Sequence, residues 1–320
     1  MCSRHPLRIF IFKLIRSEMQ ESKSFNNNPL PNREGGGKVR NLIIRALTGI
    51  VFVVVMVGGI LYSPLTCSLL FLLITILSVW EFTGLANLRE DVQVNRFITT
   101  VAAACLYLGF FGYAAGAAAA VPLFVPWLLS MIYLLISELY LGRENPLGNW
   151  AYTMWSQIYV ALPFALLPLL LFPQEGGLLS QDYSRAGAYL ILSIFVFLWC
   201  SDTGAYCCGS LLGRHKLFPS VSPGKTWEGS IGGALLTVGA SQLVAAYFPV
   251  LSAWQWAGFA LVVVVFGTWG DLVESLLKRR LGIKDSGNIL PGHGGMLDRF
   301  DSSLLAIPAV VAYLFTLAVL

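Results

Sequence analysis

Charge is scarce in this chain. Of its 320 residues, 12% are Asp, Glu, Lys or Arg, where a soluble domain carries about 25%. Hydrophobic residues make up 56% and the mean hydropathy is +0.71. That balance excludes an ordinary water-soluble fold and implies an integral membrane protein, because so much apolar surface needs hydrocarbon as its solvent. Histidine is also sparse, at His5, His215 and His293, and the cysteines Cys2, Cys67, Cys105, Cys200, Cys207 and Cys208 form no Cys-x-x-Cys pair. Structural zinc and a disulfide framework are therefore poor readings. Adjacent Cys207 and Cys208 read instead as small residues for helix packing. No nucleic-acid partner is expected. Nor does the chain open on a cleavable signal peptide, since the short patch at 7–15 is basic throughout and no small-residue cleavage site follows it.

What is present is a series of apolar runs close to the roughly 20 residues that cross hydrocarbon. They fall at 42–62, 65–86, 97–116, 121–141, 152–172, 186–208, 229–248, 254–277 and 301–320. The pattern predicts an all-α integral membrane protein of about nine transmembrane helices. Lys and Arg orient it. Arg4, Arg8, Lys13, Arg16, Lys23, Arg33, Lys38, Arg40 and Arg45 precede or open the first run, which keeps the N-terminus cytosolic. Every second loop is then cytosolic too. Those loops hold Arg89 and Arg96, Arg143, then Arg214, Lys216 and Lys225, and finally Lys278, Arg279, Arg280, Lys284 and Arg299, whereas the opposite loops offer only Arg185. The expected topology has an odd span count, the C-terminus outside and the polar motifs facing the cytosol.

Three regions are expected. Residues 1–41 read as a disordered basic tail, with linker-like Asn26-Asn27-Asn28-Pro29 and Gly35-Gly36-Gly37. Met19 is an alternative start that would leave 1–18 untranslated. Residues 42–172 form an N-terminal scaffold of about five helices, and 173–320 a region of about four that carries the chemistry. In the scaffold, Glu81 and Glu138 stand near helix ends, where a carboxylate reaches the interface or pairs with a basic neighbour. The Ala and Gly run at 114–120 suits close helix packing or a subunit contact.

Polar residues in the last region fall into three clusters. Ser201-Asp202-Thr203-Gly204-Ala205-Tyr206 closes an aromatic-rich run, and Asp202 there either binds something or sits in headgroup water. Ser222-Pro223-Gly224-Lys225-Thr226-Trp227-Glu228-Gly229 precedes the seventh run. Its Gly-Lys-Thr is no P-loop, because Pro219 occupies the position of the first required glycine and no strand is expected beside it. A helix N-terminus with Lys225 and the hydroxyls of Ser222 and Thr226 can nevertheless hold a phosphate. The third cluster starts inside the eighth run, where Asp271, Glu274, Ser275 and Lys278 share one helical stripe. Beyond it, Gly292-His293-Gly294-Gly295 lets backbone approach a ligand, and Asp298, Arg299 and Asp301 open the last run. Carboxylate oxygens suit Mg²⁺, while Lys278, Arg279, Lys284 and Arg299 can neutralise phosphates.

The stretch Ser275-x-Leu277-Lys278-Arg279-x₄-Lys284-Asp285-x-Gly287-x₂-Leu290-Pro291-x-His293-Gly294-Gly295-Met296-x-Asp298-Arg299-Phe300-Asp301 resembles the signature of the phosphatidate cytidylyltransferases, or CDP-diacylglycerol synthases. The resemblance takes in the first two clusters as well and is weaker before about residue 190. One departure is Gly224, where the family usually has a second Lys. The resemblance implies Mg²⁺-dependent formation of CDP-diacylglycerol and diphosphate from CTP and phosphatidic acid, with K⁺ a further candidate ion, in a homodimer of the bacterial-type cytoplasmic (inner) membrane. It implies Asp271, Asp298, Lys225, Arg299 and His293 as reaction-site residues, with His293 shaping the glycine loop or touching phosphate rather than acting as a base. Asp271, Asp298 and Asp301 are the expected metal ligands. Ser222, Lys225, Thr226, Lys278, Arg279, Lys284, Asp202, Asp285 and Arg299 are the expected substrate contacts. A related cytidylyltransferase for another lipid and a CTP-dependent lipid kinase are the alternatives, and a secondary transporter is a weaker one.

Overall fold

The fold is taken from a computed structural model, which describes residues 36–117, 120–172, 186–287, 289 and 294–319. Of the tail expected at 1–41, residues 1–35 lie outside these residues, as does His293, while 36–41 are helical rather than disordered. Leu47–Leu320 form one compact unit.

The elements run α1 (Gly36–Tyr62), α2 (Pro64–Ala86), α3 (Arg96–Ala114), α4 (Ala120–Leu141), α5 (Pro146–Trp155), a π-helical turn (Ser156–Ala161), α6 (Leu162–Leu171), α7 (Ala186–Leu212), strands β1 (Lys216–Phe218) and β2 (Ser222–Thr226), α8 (Trp227–Tyr247), α9 (Ala253–Arg280) and α10 (Leu297–Val319). Among the described residues, eight spans are long and apolar enough to cross a membrane, with α5, the π turn and α6 counting as one. The first expected run is a shorter apolar stretch, Ala46–Tyr62, within a helix that begins at Gly36, ahead of the expected residue 42.

Helix starts follow from local chemistry. Ser63 accepts from the Thr66 amide with Pro64 at the first helical position, Asn95 accepts from Ile98, and Ser252 forms a capping box with Gln255. The π turn lies just before Pro163, whose missing N–H breaks the α-helical ladder at the carbonyl of Tyr159.

Inside the bundle, Phe300 is the centre of an aromatic cluster, 5.9 Å from Phe52, 5.5 Å from Phe164 and 5.9 Å from Phe195 between ring centroids. It is fully buried. As the only apolar member of Asp298-Arg299-Phe300-Asp301, it fixes how the start of α10 sits against its neighbours.

Among the described residues, a short hairpin interrupts the helices. β1 and β2 pair antiparallel, with Lys216 opposite Thr226 and Phe218 opposite Ser222. The helix ends that carry basic loops meet on one side of the bundle. The loop after α2 is tied to the loop after α4 and the first turn of α5 through Arg143 to the Gln93 carbonyl at 2.5 Å, Gln93 amide to Asn149 at 2.6 Å and Asn145 to Asp91 at 2.9 Å. Glu138 pairs with Arg143 at 2.7 Å and accepts from Asn149 at 2.8 Å, so it has the basic partner expected of it.

Candidate active site

The hairpin puts the second cluster over the third. Phe218 of β1 meets the Trp269 ring of α9 edge-on at 5.8 Å, which docks the hairpin on that helix. The strand ends at Thr226, whose hydroxyl caps α8 by accepting from the Gly229 amide at 3.1 Å. His215, just before β1, pairs with Glu228 at 2.6 Å and ties the base of the hairpin to the first turn of α8. Lys225 therefore reaches α9. Its ammonium lies 2.5 Å from Asp271 and 3.4 Å from the Thr268 carbonyl. A strand does precede Gly-Lys-Thr, contrary to expectation, but Gly224, Lys225 and Thr226 lie within it rather than in a loop after it. Ser222 pairs with Phe218 in the strand and is not a helix cap.

Glycines bring α7 and α8 into backbone contact. A β-carbon on Gly204 would stand 2.9 Å from the Gly233 Cα, and one on Gly233 would stand 2.6 Å from the Ser201 carbonyl. Such an approach is open only to residues without a side chain. It brings Ser201 and Asp202 beside Lys225. Asp202 does not end its helix as expected, since α7 continues for roughly three turns to Leu212.

Around the α9–α10 connection, Lys278 bridges Glu274 at 2.5 Å and Asp298 at 2.8 Å. The other oxygen of Asp298 accepts from the amides of Ser286 and Gly295, each at 2.8 Å. Glu274 is fully buried. Gly270 lets α9 run close to α10, where a β-carbon would stand 2.7 Å from the Asp301 carbonyl. Asp301 accepts from the Ser302 amide at 2.5 Å.

Two cavities result. One, of about 190 Å³, is lined by Ser201, Asp202, Gly224, Lys225, Thr226, Ser230 and Thr268 among others. The second, of about 420 Å³, is lined by Asp202, Asp271, Asp298, Arg299 and Asp301, with Trp199 of α7 and Thr48 and Phe52 of α1. Asp202 belongs to both. Of the expected residues, Lys225, Thr226, Asp202, Asp271, Asp298, Arg299 and Asp301 thus converge, and Lys278 joins them through Asp298. Arg279, Lys284 and Asp285 are exposed and line neither cavity, and Ser222 lies beside the smaller one in sequence without lining it. Among the described residues, no three of His, Cys, Asp or Glu stand close enough as they are to hold a metal ion. The reason is visible in the pairing: Lys225 occupies Asp271, and Lys278 with two amides occupies Asp298. A side chain at 224 would meet open space, so packing does not require Gly224 there.

Glu81 departs from the expected interfacial placement. It is buried and its Oε2 accepts from the Leu297 amide at 2.8 Å.

Over residues 43–317 the sequence matches the profile of the Cytidylyltransferase family. The chain belongs to that family. The match spans both halves, including the scaffold where the signature residues are absent. Among curated relatives, a phosphatidate cytidylyltransferase of Staphylococcus aureus (strain COL) is 32% identical over 276 residues, covering 83% of this chain and 96% of the relative. One from Staphylococcus epidermidis (strain ATCC 35984) is 31% identical over the same shares. One from Staphylococcus saprophyticus is 38% identical over 184 residues, 57% of this chain and 65% of that protein. Membership makes the chain a membrane-embedded nucleotidyltransferase.

Proposed function

We propose that this chain is a phosphatidate cytidylyltransferase, converting CTP and phosphatidic acid to CDP-diacylglycerol and diphosphate in phospholipid biosynthesis. The observation that carries the reading is the convergence of Lys225, Arg299 and four aspartates on adjoining cavities at one end of an apolar bundle. A water-soluble nucleotide and a lipid phosphate can meet there. In the reaction, a phosphate oxygen of the lipid bonds to the α-phosphorus of CTP, the bond from that phosphorus to the bridging oxygen breaks, and diphosphate leaves. The lipid phosphate is a monoester and is largely deprotonated near pH 7, so no general base is required. The residues position the two phosphates in line and neutralise their charge.

Roles follow from place. Lys225, with Thr226 and Ser230 beside it, borders the smaller cavity and suits the triphosphate. Arg299, in the larger cavity with Phe52 on its apolar rim, suits the lipid headgroup, and Lys278 holds Asp298 in position. The carboxylate set is of the kind Mg²⁺ takes. Asp271 and Asp301, with Asp202, would hold it once Lys225 turns from Asp271 to phosphate, and Asp298 would reach it only on releasing Lys278. Bound there, the ion would offset the negative charge of the triphosphate. K⁺ is a second ion to test in the same assay. We further propose a homodimer in a bacterial-type cytoplasmic membrane with the site facing the cytosol, in keeping with the loop charges. Labelling of Lys284→Cys from the cytosolic side alone checks that orientation.

The test is diphosphate release by purified protein given CTP, phosphatidic acid and Mg²⁺, with Asp271→Asn and lipid-free controls. Turnover that needs the lipid, the ion and Asp271 supports the reading. Turnover with a different lipid phosphate alone overturns the choice of phosphatidate.

A further inference from the structure

Glu81 belongs to α2, in the N-terminal scaffold, yet its carboxylate closes on the segment that shapes the site 216 positions later in the chain. Oε2 accepts from the Leu297 amide at 2.8 Å, at the first residue of α10. Oε1 lies against Gly287 and Gly295, so that a β-carbon at either glycine would collide with it, and the Ser286 hydroxyl borders the same point. Both edges of the α9–α10 connection are thus gathered on one buried side chain. Asp298 grips the same two edges from the other side, through the Ser286 and Gly295 amides. Its remaining oxygen orients Lys278. A carboxylate with only 7% of its surface exposed is costly inside a bundle unless its oxygens are used. Here Oε2 fixes the Leu297 backbone, while Oε1 accepts no hydrogen bond from the described residues and packs against Gly287 and Gly295.

We propose that Glu81 is a positioning residue of the reaction: from the scaffold it clasps both edges of the α9–α10 connection and so sets the places of Asp298 and Lys278. This rests on the reading of those two residues as part of the transferase site. The glutamate touches no cavity-lining oxygen itself. Its effect passes through Leu297, Gly295 and Ser286 to Asp298, and a displacement of about 1 Å at such a group costs on the order of 10²-fold in rate.

The experiment compares Glu81→Gln, Glu81→Ala, Gly287→Ala and the Glu81→Ala/Gly287→Ala pair in the full-length chain, by steady-state kinetics with CTP and phosphatidic acid and by hydrogen exchange at the Leu297 amide. Glutamine keeps an oxygen for Leu297 and is expected to hold kcat within about tenfold of wild type, while alanine lowers kcat by about 10²-fold with a smaller change in KM for CTP. Exchange at Leu297 rises by at least about tenfold in the alanine variant alone. Gly287→Ala is damaging by itself, and adding Glu81→Ala costs less than the product of the two, because the colliding oxygen is gone. Wild-type kcat and wild-type Leu297 exchange in a folded Glu81→Ala protein would overturn the proposal, as would effects of the pair that simply multiply. A lowered thermal midpoint with unchanged kcat in the folded fraction would show a structural role only, also against it. A wild-type chain that transfers nothing would sink the cytidylyltransferase reading, while the exchange result would still decide the clasp.

Discussion

Lys225 and Asp271 hold each other at 2.5 Å in a half-buried setting, so removing one leaves the other a poorly solvated charge. If Lys225 also receives the triphosphate, Lys225→Met lowers kcat/KM for CTP by about 10²-fold, with a small effect on the KM for lipid; equal losses for both substrates would contradict the assignment. Gly224 offers the converse case. Its missing side chain would point into open space at the edge of the smaller cavity. Gly224→Lys is therefore expected to fold normally and to lower the KM for CTP about threefold or more, since an added cation within reach of phosphate contributes about 1 kcal/mol; a raised KM would show that the position needs glycine. Residues such as Lys225, Asp271 and Asp298 are legible in the sequence because an ionised group in an apolar chain needs a reason. Glu81 is not. A carboxylate near a helix end has the same local signature whether it meets water or closes on a loop, and the partner of Glu81 is 216 positions away.

Among the elements, the α7–α8 pair is the most demanding, because glycine backbones touch there. Gly233→Leu forces the helices apart at Ser201 and is expected to abolish most activity and to lower the thermal midpoint in detergent, whereas Gly239→Leu on the same helix, where a β-carbon would meet open space, leaves both close to wild type. Comparable effects of the two would argue against the close crossing. The loop clasp at the ends of α2 and α4 responds to pH. The Arg89 guanidinium, at 2.9 Å, and the Asn145 amide hold the Asp91 carboxyl down from 3.8 to about 2. A lowered carboxyl stabilises the fold above its unfolded value and loses that contribution as pH falls from about 3.8 toward 2. Asp91→Asn should thus lower the thermal midpoint slightly at pH 6, with the difference shrinking on acidification; a difference that grew would have the wrong sign. The helices were readable from apolar runs. The hairpin was not, since β1 has three residues and β2 carries Pro223 and Gly224, both poor in strands.

For the whole molecule, helix ends bearing the basic loops gather on one side, and the site is assembled from α1, α7, α8, α9 and α10 there, with α2 behind it. Hydropathy and loop charge convey that arrangement because alternation of the spans leaves little choice. The geometry within it depends on Phe300, Gly270 and the α7–α8 glycines, whose partners no local pattern names. Which bond of CTP breaks separates cytidylyl transfer from phosphoryl transfer. Purified protein in phosphatidic acid vesicles is supplied with CTP labelled at either the α- or the γ-phosphate, and lipid is extracted and counted. Cytidylyl transfer predicts α-label in the lipid and γ-label in released diphosphate; γ-label in the lipid would contradict it and make the chain a lipid kinase.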